Sequence, residues 1–155
     1  MKKRLFRNLN LVEQNFGVLD AGIDNTASMM AAYEDFYAKR RKLGPRGKFW
    51  LAPTNGESWW HVCRRTHEFL DNVFRPNRHG QVLLIVTHGV TMQTFRYHLE
   101  RMDEETLVTE YQKDKNKNCG VSCYEWNDRL GSHGRYELRF WNRTYYQPRN
   151  QQTPT

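Results

Sequence analysis

Thr87-His88-Gly89 stands where chemistry is easiest to place in this chain. It directly follows Val82-Leu83-Leu84-Ile85-Val86, a continuous apolar run with β-branched residues at three positions. Such a run reads as a strand buried on both faces, and so as part of a parallel sheet covered by helices. Open α/β sheets bind ligands outside the carboxyl ends of their strands. A helix beginning near Val90 would aim free backbone N–H groups at that spot, which favours phosphate. Gly89 would let the backbone approach a ligand closely. His88 would meet a phosphate oxygen as a cation or a hydrogen-bond donor. A histidine at a strand end is often only a satisfied structural residue, so the tripeptide alone does not decide.

Other reactive types are less well arranged. Cys63 and His67 are four apart on one helix face, with His61 nearby, but a zinc site needs about four ligands and no fourth is evident. Ordinary packing, with no metal, is the expectation. Lys39 to Lys48 holds six basic residues among ten, followed by Phe49 and Trp50. Such a run is usually a solvated face; it would also widen the positive field around an anionic substrate. Nucleic-acid contact is a weaker reading, since no RNA- or DNA-binding motif accompanies it. Trp59-Trp60 reads as packing, not base stacking.

These residues must be held by a fold of modest size. The 155 residues, 38% apolar and 14% aromatic, suit about one domain with a sizeable core and argue against disorder. No apolar run approaches the ~20 residues of a membrane-spanning helix. The basic start, Met1 to Arg7, has no apolar stretch behind it, so a secretory signal is not expected. Cys63, Cys119 and Cys123 are an odd set without framework spacing, which reads as reduced thiols in a cytoplasmic protein. The net charge of +7 suits anionic partners without choosing among them.

The pattern predicts a helix from Thr26 to Arg41, ended by Lys39 to Lys42, then a break at Gly44-Pro45-Arg46-Gly47. Ser58 would cap a second helix to about Phe74, with Trp59, Val62, Cys63, Thr66, Phe69, Leu70 and Val73 on its apolar side. Thr91 to Arg101 is an amphipathic segment, and Asp103 to Glu110 another short helix. Leu9 to Gln14 reads as extended. Gly120 to Asn127 and Arg135 to Trp141 read as two strands joined by a turn. The domain is expected over 1–144, with a disordered polar tail over 145–155.

Three more segments occur in order around the tripeptide. Leu11-Val12-Glu13-Gln14-Asn15-Phe16-Gly17 and Pro53-Thr54-Asn55-Gly56-Glu57-Ser58 precede it, and Asn118 to Glu125 follows it. Together the four resemble the histidine phosphatase superfamily, the phosphoglycerate-mutase-like proteins, over roughly Leu9 to Trp126. The resemblance implies an α/β fold: a three-layer, mostly parallel sheet flanked by helices. It implies attack on phosphorus by a histidine in an Arg-His-Gly motif at the end of the first strand. Two arginines and a second histidine hold the phosphoryl oxygens, and an acidic residue protonates the leaving group. By motif, Glu13 matches the acid/base and His88 the second histidine. Gly89, Glu57 and Ser58 match the substrate-binding surroundings. Arg65 is expected to brace the pocket wall. No metal or organic cofactor is implied.

The departure from the family pattern lies before Glu13. Only twelve residues precede it. The nucleophile motif, both phosphate arginines, the first strand and the first helix are therefore expected to be missing. Arg78-His79-Gly80 spells the nucleophile motif but precedes the Val82 strand. His88 lies nine positions after His79, and at ~3.3 Å per extended residue these span roughly 25–30 Å, so the two should lie at opposite ends of the sheet.

The resulting expectation is a phosphomonoesterase or phosphomutase chain, inactive alone, acting on or binding a phosphorylated small molecule or phosphoprotein. A complementing N-terminal polypeptide would restore the site. The Val82–Val86 flank would be open to self-association. A non-catalytic phosphate-binding or interaction protein of the same fold is the alternative, and a basic nucleic-acid-binding domain a more distant one.

Overall fold

The computed structural model describes residues 5–20, 27–74 and 82–146. These fall into two compact units, one ending at Asp114 and the other beginning at Lys115. The first contains α1 (Ala27–Lys42), α2 (Gly44–Trp50), α3 (Trp59–Phe74), α4 (Gly89–Leu99) and α5 (Glu104–Lys113); the second contains β1 (Val121–Asn127) and β2 (Arg135–Arg143).

α3 organises the first unit. Trp59, Val62, Cys63, Thr66, Phe69 and Leu70 recur at steps of three and four, fall on one face and are buried. That face meets α4, where Thr66 Oγ1 donates to Thr94 Oγ1 at 3.0 Å inside the contact. Phe49 of α2 and Leu107 and Val108 of α5 close the main core around Trp59, Val62, Cys63 and Val90. The Lys48 ammonium lies 3.7 Å from the Tyr111 ring centroid and 4.7 Å from that of Trp59, which keeps its charge over aromatic faces. A smaller cluster joins Phe69, Leu70 and Phe95 with Leu11 and Ile85. α5 begins where Asp103 accepts the Thr106 N–H at 2.7 Å, a side-chain cap.

The helices predicted from sequence form with small shifts at their ends. Two local expectations change. Gly44-Pro45-Arg46-Gly47 opens α2, because proline in a first turn gives up an N–H that the helix does not use. Gly44, at φ 59°, turns the chain between α1 and α2. Leu9–Leu11 is a single 3₁₀ turn, held by the Asn8 side chain on the Asn10 N–H, where extended chain was expected.

The α/β class holds, and among the described residues the mostly parallel, three-layer arrangement is not seen. Their hydrogen-bonded sheet is the two-stranded antiparallel pair of β1 and β2. Residues 82–88 carry no regular secondary structure, and among the described residues no strand pairs with them. Val82, Leu84 and Val86 are 98%, 82% and 82% exposed. Ile85 alone of the run packs on the smaller cluster.

In the second unit Tyr124 faces Leu138 and Trp126 faces Tyr136, with an irregularity between Val121 and Tyr124. Glu125 stands opposite Glu137, and Arg139 reaches both carboxylates. Asn142, buried, accepts from the Lys117 N–H and donates to the Lys115 carbonyl, fixing the polar loop before β1. Among the described residues no helix is long and apolar enough to cross a membrane. The expected disordered tail falls, from residue 147, outside the described residues.

Candidate functional site

Four successive backbone carbonyls, from Asn10 to Glu13, have few local partners because the chain there is a single turn running into irregular structure. Side chains from elsewhere satisfy them. Arg65 of α3 donates to the carbonyls of Asn10 (2.7 Å) and Glu13 (3.1 Å). The Thr87 hydroxyl donates to that of Leu11, and the Thr91 hydroxyl of α4 to that of Val12 at 2.7 Å. Unpaired carbonyls near a core are costly, so these donors fix the segment's path.

The next residues dock on the loop before α3. The Asn15 carbonyl accepts the Glu57 N–H at 2.7 Å, and the Gln14 side chain donates to the Glu57 carbonyl at 2.6 Å. The Val18 N–H donates to the Thr54 carbonyl at 3.1 Å. Gly17 has φ +58°, and a Cβ there would lie 2.1 Å from the Thr54 oxygen. Both the turn and the close approach therefore require glycine.

This scaffold delivers the Glu13 carboxylate to the N-terminus of α4. Its oxygens lie 3.1 and 3.3 Å from the Val90 nitrogen, whose N–H they accept from 77 residues away, and Oε1 also accepts the Gln14 N–H at 2.9 Å. A carboxylate on a first-turn helix N–H is favoured by the positive end of the helix dipole. His88 is the N-cap residue, extended at φ −115° and ψ 176°, and its side chain makes no cap hydrogen bond. Its side chain is exposed beside the capped turn. A Cβ on Gly89 would lie 3.5 Å from Glu13 Oε2, an ordinary contact distance. Glu13, His88 and Gly89 thus meet at one helix end.

Glu57 and Ser58 are placed differently. The Glu57 carboxylate takes Arg65 Nε at 3.0 Å, Arg65 Nη2 at 3.1 Å and the Asn15 N–H at 3.0 Å. Ser58 is buried at the start of α3, with its N–H donating to His61 Nδ1 at 3.0 Å and its carbonyl accepting the Val62 N–H. Their contacts are with the protein, and what those contacts do is hold the loop that carries Glu13. Arg65 is the brace, with Nε, Nη1 and Nη2 all bonded to protein oxygens. Arg78-His79-Gly80 lies outside the described residues. Cys63 is buried in the core, which pushes its thiol up to about 12, and its carbonyl accepts from His98 Nε2 at 2.8 Å.

The positioning roles of Gln14, Thr87 and Thr91 were not singled out from sequence. Hydroxyls one residue before and three residues after His88, the second in the first turn of a helix, were the available signal.

An exposed imidazole and a carboxylate at a helix N-terminus can offer hydrogen bonds to an anion and a proton to a leaving group. Comparisons with known proteins bear on which anion. The family model described as histidine phosphatase superfamily (branch 1) matches residues 5–144. A 2,3-bisphosphoglycerate-dependent phosphoglycerate mutase of Cytophaga hutchinsonii is 24% identical over 118 residues, covering 68% of this chain and 55% of its own length. Among solved structures, a mycobacterial glucosyl-3-phosphoglycerate phosphatase in complex with inorganic phosphate superposes with a TM-score of 0.61 at 17% identity, covering 88% of this chain and 64% of that one. The structure titled mycobacterial hydrolase 1 superposes at 0.62 with 18% identity and the same coverage. The chain therefore spans little more than half of the curated relative and about two thirds of the solved neighbours.

Proposed function

The chain belongs to the histidine phosphatase superfamily, branch 1, and from that premise we propose that it carries one side of a phosphomonoester pocket, at the N-terminus of α4. The observation that carries this reading is the Glu13 carboxylate on the Val90 N–H, two residues after His88. In the proposed reaction a histidine of an Arg-His-Gly segment, supplied from outside these 155 residues, attacks phosphorus. The N–P bond forms as the ester P–O bond breaks, and Glu13 gives its proton to the leaving oxygen. Water, giving a proton to the Glu13 carboxylate, then attacks phosphorus and breaks the N–P bond, releasing inorganic phosphate and restoring the histidine and the protonated Glu13. His88 donates to a non-bridging phosphoryl oxygen, and the α4 amides add fixed positive ends.

The class of substrate, a phosphate ester of a small molecule or a phosphoprotein, is supported by the family and by the phosphorylated compounds named for its relatives. The mostly parallel sheet belongs to the same proposal, with residues 82–88 as one of its strands. The test is hydrolysis of p-nitrophenyl phosphate with and without a polypeptide bearing the Arg-His-Gly strand. The chain alone should give background rates and no acid-labile phosphohistidine. The supplemented chain should turn over, and Glu13→Gln should lower that rate by ~10²–10⁴. Turnover by the chain alone that His88→Ala abolishes would make His88 the nucleophile and overturn this assignment.

A further inference from the structure

Asn55-Gly56 is the only Asn-Gly dipeptide in the sequence. An asparagine followed by glycine cyclises readily, because no side chain on the glycine hinders its backbone nitrogen from reaching the asparagine amide. Asn55 is exposed and sits at φ 59°, a left-handed turn position that asparagine tolerates. Two features oppose reaction while the turn is closed. The Gly56 N–H donates to the Pro53 carbonyl at 2.9 Å, which engages the nitrogen that would have to attack. The turn is also enclosed: a Cβ on Gly17 would lie 2.6 Å from both the Asn55 carbonyl carbon and the Gly56 nitrogen, and one on Gly56 would lie 2.8 Å from the Asn15 oxygen. The guarding residues are the ones that carry Glu13. Gln14, Asn15 and Val18 are hydrogen-bonded to Thr54 and Glu57, on either side of the dipeptide.

We propose that Asn55 is a site of spontaneous modification to isoaspartate, held closed by the docked 14–18 segment, and that its reaction releases that segment for good. The Gly56 nitrogen gives its proton to hydroxide and attacks Asn55 Cγ. The N–Cγ bond forms, the Cγ–Nδ2 bond breaks, and the side-chain nitrogen leaves as ammonia, taking a proton from water. Water then opens the cyclic imide. Attack at Cγ leaves aspartate in an ordinary main chain. Attack at the main-chain carbonyl leaves isoaspartate, with the chain routed through Cβ and Cγ and longer by one carbon. A turn this closely packed cannot take the longer link and keep both the Gly56 N–H on the Pro53 carbonyl and the Val18 N–H on the Thr54 carbonyl. The inference does not depend on the phosphomonoester reading.

Peptide mass spectrometry with an isoaspartate-specific methyltransferase label tests it on the 155-residue chain held at mildly alkaline pH. Isoaspartate should accumulate at position 55 at least about tenfold more slowly in the folded chain than in the same chain in urea, because reaction waits on local opening. Gly17→Ala, which forces the turn apart, should recover about tenfold in rate. A series of urea concentrations below the unfolding transition gives the same readout on the unaltered chain: the rate should rise in step with hydrogen exchange of the Gly56 amide. The isoaspartate form, separated by its added charge, should have lost protection of the Gln14 and Asn15 amides while keeping its helical signal. Equal rates in folded and denatured chains, no isoaspartate once the Gly56 amide exchanges freely, or an isoaspartate form with those amides still protected would each overturn the proposal.

Discussion

Replacing Arg65 with alanine should both destabilise the first unit and release the residue the site depends on. The side chains of Arg65 and Glu57 are 14% and 25% exposed, and their ion pair is 3.0 Å long. Arg65 also holds the carbonyls of Asn10 and Glu13. An exposed pair contributes about 0–1 kcal/mol, and breaking a fully buried one costs about 3–5 kcal/mol. Partial access of water places this pair between those limits. The two carbonyls, left without their donor, add to the loss. A cost of about 2–4 kcal/mol follows, a large fraction of the ~5–15 kcal/mol that holds a domain together. For a unit of this size, that lowers the melting temperature by roughly 10–15 °C. Arg65→Lys keeps the charge but loses the planar fork, so about half the effect should remain. Thermal unfolding reads the stability, and amide exchange reads the site. The Gln14 and Asn15 N–H groups, bonded to Glu13 and Glu57 carboxylates, should lose protection in Arg65→Ala. A change under about 0.5 kcal/mol with those amides still protected would show that the threonine contacts suffice, and the bracing argument would fail.

Gly17→Ala should cost about 1–3 kcal/mol by denaturant titration, since the new methyl meets the Thr54 carbonyl at a positive φ; an unchanged midpoint would refute the close approach. Phe49→Ala, at a fully buried position, should cost about 3–5 kcal/mol in the same assay. Burial holds His98 below its ordinary value of 6.5, reinforced by the neighbouring His67; the Cys63 carbonyl and Asp71 act the other way. The unfolded chain therefore takes up this proton more readily. Stability should fall as pH drops through about 6.5, and His98→Gln should flatten that dependence in pH-resolved melts.

The helices were legible because each has a local cause. α3 carries its apolar face at helical spacing after Ser58, and α5 starts at the Asp103 cap. Glu13 and His88 were legible as motif residues, yet no local rule links positions 13 and 88. Their meeting depends on carbonyl contacts from Arg65, Thr87 and Thr91, which spacing does not encode. The Val82–Val86 run was read as a strand, and it carries no regular secondary structure. Its sheet was not found among the described residues because a strand requires a neighbour, and apolar content specifies only the demand for one. Pro45 misled for a related reason: the residue that ends one helix can equally open the next.

Amide and imidazole NMR during titration with inorganic phosphate tests the central claim most directly, because it reads binding at named atoms without requiring turnover. The account predicts saturable, concerted shifts of the Gly89 and Val90 amides and the His88 ring. Glu13→Gln should tighten binding by removing the competing carboxylate, and His88→Ala should weaken it. Shifts confined to the Lys39–Lys48 run, or none at the start of α4, would contradict the assignment of this helix end as the phosphate site.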